Sequence, residues 1–113
     1  MSRYIYKICP RALWEKAVTA GQFEGAGIDI QDGYIHFSTA AQSAETLALH
    51  FSAQEGLCLI EVDSETVDIT WEASRGGQLF PHLYGVLDMK SVCNIWDLQL
   101  DKAGIHILPD LAG

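Results

Sequence analysis

From Leu57 onward the hydrophobic pattern has strand character almost throughout, while the first half alternates strand-like and helical segments; this asymmetry limits the fold more than any other feature. Leu57 to Val62 is a continuous apolar run broken by Glu61, Val67 to Trp71 alternates, and Leu83 to Leu87 and Val92 to Leu100 are again strand-like. Upstream, Tyr4 to Ile8 alternates as a strand. Pro10 fits the first turn of a helix whose Leu13, Trp14, Ala17 and Val18 share a face and which Gly21 stops, so the helix is predicted over Pro10 to Ala20. Gln22 to Gly33 carries glycines and no sustained period and reads as a loop crossing the mouth of a site. Tyr34 to Phe37 is a second strand. Thr39 followed by Gln42 is a capping-box pattern, and Ala40, Ala44, Leu47, Ala48 and Phe51 form an apolar stripe, which predicts a helix from Ala40 to Phe51. The order β-α-β-α followed by strands predicts an α+β domain, with small mixed sheets and two helices in its N-terminal half.

The 113 residues suit one globular domain spanning the whole chain, 1–113. No apolar stretch approaches the ~20 residues of a bilayer-spanning helix, and the N-terminus enters a strand without a signal or lipidation pattern. No membrane association and a cytoplasmic location are therefore expected. Cys9, Cys58 and Cys93 are widely spaced, without a C-x-x-C pair, and are predicted to be reduced, buried thiols. A formal charge of −8 with no basic stripe argues against non-specific nucleic-acid binding. A small phosphate-bearing ligand remains compatible with that charge, because one arginine and a few backbone N–H groups hold a phosphate within an acidic protein.

The residues suited to chemistry gather around three turn-prone stretches. His36 lies between Ile35 and Phe37, so in a strand it points away from the face those two share, and the helix start at Ser38-Thr39 brings backbone N–H groups beside it for an anion. Phe80, His82 and Tyr84 alternate and can line one face suited to a planar ring, behind the rigid Pro81. Glu72 follows Trp71, whose indole can desolvate the carboxylate and raise its pKa for acid or base work. Arg75 precedes Gly76-Gly77, a flexible turn where an anion can be approached. Tyr34 adds a second stacking ring. The bland reading of each residue is structural: a half-exposed sheet histidine at 36, a turn histidine at 82, a solvated strand end at 72. His50, late on the second helix, and His106 are read as structural. No H-x-x-x-H, H-E-x-x-H or C-x-x-C spacing assigns a metal site.

With its segments Tyr4-Ile5-Tyr6-Lys7-Ile8, Trp14 through Gly21, Asp32 through Ser38, Gln42, Trp71 through Gly77 and Phe80 through Gly85, the chain resembles the bacterial domain-of-unknown-function family 952. That family's fold is similar to ADP-ribosyltransferases and RNA 2′-phosphotransferases. The resemblance implies a cleft between two small sheets, His36 as the histidine touching a ligand ribose, Tyr84 or Tyr34 as the stacking ring, and NAD as the cofactor class. On the late strand, where those transferases carry a glutamate, this chain offers Asp97, and Phe37 follows His36 in place of a small residue. The expected function is binding of a small anionic or nucleotide-like ligand, with transferase-like chemistry at His36, Glu72 and His82 and ligand contacts from Tyr34, Ser38, Thr39, Arg75 and Tyr84. The alternatives are a non-catalytic binding or interaction module and a metal-assisted hydrolase.

Overall fold

The apolar run that begins at Leu57 is continuous because the strand it forms is covered on both sides. The computed structural model describes residues 3–111. In chain order these form β1 (Tyr4–Pro10), α1 (Arg11–Ala20), β2 (Gln22–Phe23), α2 (Ile28–Asp32), β3 (Ile35–His36), α3 (Ala40–His50), β4 (Leu57–Asp63), β5 (Ile69–Ala73), β6 (Leu79–Leu83), β7 (Leu87–Asp88), β8 (Val92–Leu100) and β9 (His106–Ile107). The strands pair antiparallel in sheets ordered β1-β4-β8-β9, β3-β6-β5 and β2-β7. The protein is an α+β domain, and no helix among the described residues is long and apolar enough to cross a membrane.

On one face of β4, Cys58, Ile60 and Val62 pack with Ile5, Trp14, Phe23, Ile35, Phe37 and Leu83. On the other, Leu57 and Leu59 pack with Tyr6, Ile8, Leu47 of α3 and Leu98. Each fully buried aliphatic side chain removes enough apolar area to contribute about 1.5–3 kcal/mol, so this doubly covered strand is the centre of stability. Glu61 survives inside it because Tyr6 donates its hydroxyl to Oε2 at 2.9 Å and Asn94 donates to Oε1 at 3.0 Å.

β1 is an edge strand, joined to the second sheet by one bridge: Tyr6 N–H donates to the Ser38 carbonyl at 2.7 Å, and Ser38 N–H returns to Tyr6 at 2.8 Å. Ser38 Oγ also meets Thr46 Oγ1 of α3 at 3.0 Å. On either side of this rung the two sheets diverge.

Three expectations change. The segment expected to be a loop from Gln22 to Gly33 contains β2 and α2. α2 forms because Asp29 folds back to accept the Ala26 N–H at 2.9 Å, and Gly33, at φ 84°, supplies the left-handed stop. The strand expected at Leu83 to Leu87 lies earlier, running through Pro81. Pro81 is tolerated because its carbonyl accepts from Phe37 N–H at 3.0 Å, so its missing donor falls on the side where β3 has already ended. Cys9 and Cys58 are buried free thiols opposite one another in the β1–β4 register, whereas Cys93 is exposed. It is the extra residue where the β4–β8 register steps from Glu61–Asn94 to Val62–Val92, so no β4 residue stands opposite it.

The capping box on α3 is complete: Thr39 Oγ1 accepts from Gln42 N–H at 3.2 Å and Gln42 Oε1 accepts from Thr39 N–H at 3.0 Å. Thr39→Ala is expected to cost about 1 kcal/mol, read as a lower urea midpoint with an unchanged slope.

Candidate functional site

In β3-β6-β5, alternation sends Ile35 and Leu83 into the core and His36 and His82 to the opposite face, where the register sets the two histidines directly opposite each other. Their ring centroids lie 5.3 Å apart, edge to face. On the same face, one diagonal step along β5, Glu72 Oε1 lies 2.8 Å from His82 Nδ1 and accepts the Tyr84 hydroxyl at 2.6 Å. The Tyr34 ring lies 4.5 Å from His36, 4.3 Å from His82 and 5.0 Å from Tyr84, centroid to centroid. Five of the expected site residues are thus in mutual contact.

His36 is held from two sides. Its Nδ1 lies 2.6 Å from Asp29 Oδ1 and its Nε2 3.0 Å from Asp32 Oδ2. A carboxylate only accepts, so both bonds form at once only with the doubly protonated ring. Asp29 is the hub. With 1% of its side chain exposed, its carboxylate meets Lys7 Nζ at 2.6 Å and accepts the backbone N–H of Ala26 and of His36 as well as the imidazole. Burial alone would raise its pKa, but the hydrogen bond from His36 and the charge of Lys7 overturn that and hold the carboxyl at about 2. Lys7 also donates to the His36 carbonyl at 3.1 Å.

The expectation for Glu72 is reversed. Consecutive strand residues point to opposite faces, so Trp71 packs toward the core while Glu72 stands on the histidine side. There the hydroxyl of Tyr84, and then His82, hold its carboxyl below the usual range, and the same bond pushes Tyr84 up to about 12. Burial, then the charges of Asp32 and Glu72, raises Tyr34.

Behind the histidines a cavity of about 530 Å³ opens between β1, α2, α3 and β6, with His36, His82, Lys7, Asp29 and Ser38 in its wall. His50 lines it too, whereas His106 ties Nε2 to the Gln54 carbonyl at 2.7 Å. Thr39 lies outside the lining: its hydroxyl and N–H are spent on the capping box, so the helix start does not offer them to an anion. Tyr34, Glu72 and Tyr84 back the imidazoles from outside the lining. Arg75 begins the short turn Arg75–Gly77, and its side chain lies outside the described residues. Asp97 pairs instead with Arg11 at 3.4 Å on β8, away from the histidines. Among the described residues no group of His, Cys, Asp and Glu is gathered to hold a metal ion.

The profile of the family described as a protein of unknown function, DUF952, matches residues 8–95. This chain belongs to the DUF952 family. The matched span contains Asp29, Tyr34, His36, Glu72, His82 and Tyr84. The crystal structure of protein CC0527 from Caulobacter crescentus, a structural-genomics target, is similar at 45% identity and a TM-score of 0.88, covering 92% of this chain and 93% of that one. The solution NMR structure of CC0527 gives a TM-score of 0.83 over 92% and 91%. No curated protein matches this DUF952 chain significantly.

Sequence reasoning missed Lys7 and Asp29. The available signals were a lysine amid Tyr6, Ile8 and Cys9 in an otherwise apolar strand, and an aspartate between Ile28 and Ile30 in a glycine-rich segment. Gly25 belongs to the same design, since a Cβ there would come within 2.7 Å of Asp29 Cβ. Asp29→Asn, which leaves Lys7 buried and uncompensated, is expected to cost about 3–5 kcal/mol at neutral pH in denaturant unfolding. Because the folded pKa of Asp29 is depressed to about 2 from the ordinary 3.8, its contribution is present above the unfolded value and lost as pH falls through the folded one. The gap between wild type and Asp29→Asn should therefore narrow by about 2 kcal/mol between about pH 4 and about pH 2.

Proposed function

We propose that this chain binds a small anionic, nucleotide-like ligand in the cavity and that His82 handles protons on it, while His36, held at both ring nitrogens, fixes the wall beside it. The observation that carries this reading is the pair of carboxylate-held imidazoles sharing the wall of one cavity. At about 530 Å³ its size falls in the range of small-molecule sites, and Ile8, Leu13, Phe37, Phe51 and Phe80 give it the apolar wall a planar ring needs. Asp29 is already matched by Lys7 and His36, so the charge-bearing groups left to face a ligand are the imidazoles of His50 and His82, cations when protonated. An anionic ligand group complements them.

The Glu72–His82 pair supplies the proton chemistry. Glu72, kept anionic, accepts the Nδ1–H, so the neutral ring carries its lone pair on Nε2, ready to take a proton from a hydroxyl nucleophile and return it to a leaving group. That fits transfer at a ribosyl or phosphoryl centre. ADP-ribosyl transfer from NAD is the specific form implied by the resemblance to the transferases. Tyr34 stands outside the cavity lining, so the rings of Phe37, Phe51 and Phe80 in its wall are the surface available to a base.

A thermal-shift series with inorganic phosphate, AMP, adenosine and NAD tests the reading. A ligand at 100 times its Kd stabilises by about 2.7 kcal/mol, and AMP is expected to outperform adenosine. His82→Ala should remove most of that difference while retaining the fold. Nicotinamide release from NAD by wild type, above the His82→Ala background, would assign transfer chemistry; protection without release would assign a binding module. Equal shifts with AMP and adenosine, or none with any compound, would sink the proposal.

A further inference from the structure

Cys9 and Cys58 are direct cross-strand partners in the β1–β4 ladder, and both side chains enter the core on the face that carries Ile60 and Val62. Ser64 N–H to the Arg3 carbonyl at 2.7 Å and Arg11 N–H to the Gly56 carbonyl at 2.8 Å show that the odd-numbered residues of this strand turn their peptide groups toward β4. Cys9 and Cys58 therefore form a hydrogen-bonded pair, a position where opposed α-carbons lie about 5.5 Å apart. That spacing falls within the range a disulfide spans. Both thiols are free.

The two sulfurs have different surroundings. Cys9 lines the cavity, whereas Cys58 lies behind it, wholly enclosed. The Cys9 thiol donates to the Cys58 sulfur, which also accepts from the Arg11 guanidinium. Arg11 is kept there by Asp97, 3.4 Å away and the cross-strand neighbour of Cys58 on β8. The bond from Cys9, and after it the guanidinium, lower the pKa of Cys58 against its burial, while the same bond and burial raise that of Cys9. A cysteine serving only as a small apolar filler needs no such donors. Two of them on one sulfur stabilise a thiolate, the form in which a cysteine reacts.

We propose that Cys9 and Cys58 are a redox-active dithiol, oxidised to a disulfide across β1 and β4 by hydrogen peroxide entering through the cavity. From the thiol–thiolate pair, the Cys9 sulfur attacks one peroxide oxygen as its proton passes to Cys58; the S–O bond forms, the O–O bond breaks and hydroxide leaves. The Cys58 sulfur then attacks the Cys9 sulfenic acid; the S–S bond forms, the S–O bond breaks and water leaves with the Cys58 proton. The dithiol gives up two electrons and the peroxide takes them. Opposed β-carbons in a sheet stand about 4.5–5.5 Å apart, and a disulfide holds them at about 3.8 Å, so closing the bond draws the two strands together. A bond made under that strain is readily reduced, which makes the step reversible. None of this depends on what else the cavity binds.

The experiment adds hydrogen peroxide to the full chain below stoichiometry and reads intact mass, with peptide mapping in the absence of reductant. The chain should lose the mass of two hydrogen atoms, yield a linked Cys9–Cys58 peptide before Cys93 is oxidised, and recover its mass in dithiothreitol. Cys93→Ser should behave as wild type. Cys58→Ser, which keeps the attacking sulfur and removes its partner, should gain one oxygen atom instead of losing hydrogen. If that variant does not fold, wild type and Cys93→Ser decide. Oxidation of Cys93 ahead of the pair, a link joining Cys93 to either partner, a Cys9–Cys58 link that forms only in urea, or Cys9 and Cys58 still open to alkylation after excess peroxide overturns the proposal.

Discussion

The buried carboxylate of Asp29 is the interaction on which the rest of this molecule's organisation depends. It meets an ammonium from β1, an imidazole and a peptide N–H from β3, and a peptide N–H at the entrance to its own helix. Taking a carboxylate and a lysine out of water costs several kcal/mol per ion, and only a fully hydrogen-bonded arrangement recovers that cost. Such an arrangement tolerates little displacement of any partner. The position of α2, the gap between the sheets and the orientation of His36 are consequently one structural fact.

The two histidines differ in the freedom their partners leave them. His36, clamped between Asp29 and Asp32, has both ring nitrogens occupied and acts as a fixed wall of the cavity. Among the described residues His82 is tied at Nδ1 alone, by a glutamate that Tyr84 also steadies. One imidazole is thus built for position and the other for exchange of a proton, a division that follows from counting acceptors around each ring.

Periodicity carried much of the fold into the sequence. The helix over residues 40–50, its capping box, the strand at Val92 to Leu100 and the outward turn of His36 could all be read because each follows from a local rule: spacing, a cap or alternation. What escaped was set by contacts distant in sequence. α2 is too short to show a period and exists because Asp29 is anchored by Lys7, which precedes it by most of the first helix and loop. Pro81 deflected the reading of β6 because whether a proline interrupts a sheet depends on whether the neighbouring strand reaches it. The lowered pKa of Glu72 escaped for a similar reason: Trp71 is its neighbour in sequence, whereas Tyr84 and His82 are its neighbours in space.

Because His36 and His82 are direct cross-strand partners, the register that makes the site also guards against a folding error. A slip of either strand by one residue would carry its histidine into the apolar core and bring Ile35 or Leu83 out to water. The misregistered pair would bury an imidazole without its carboxylate and forfeit an aliphatic contact at once. Two polar rings on an otherwise short pairing thereby give β3 a uniqueness that its two residues of strand could not supply by backbone hydrogen bonding alone.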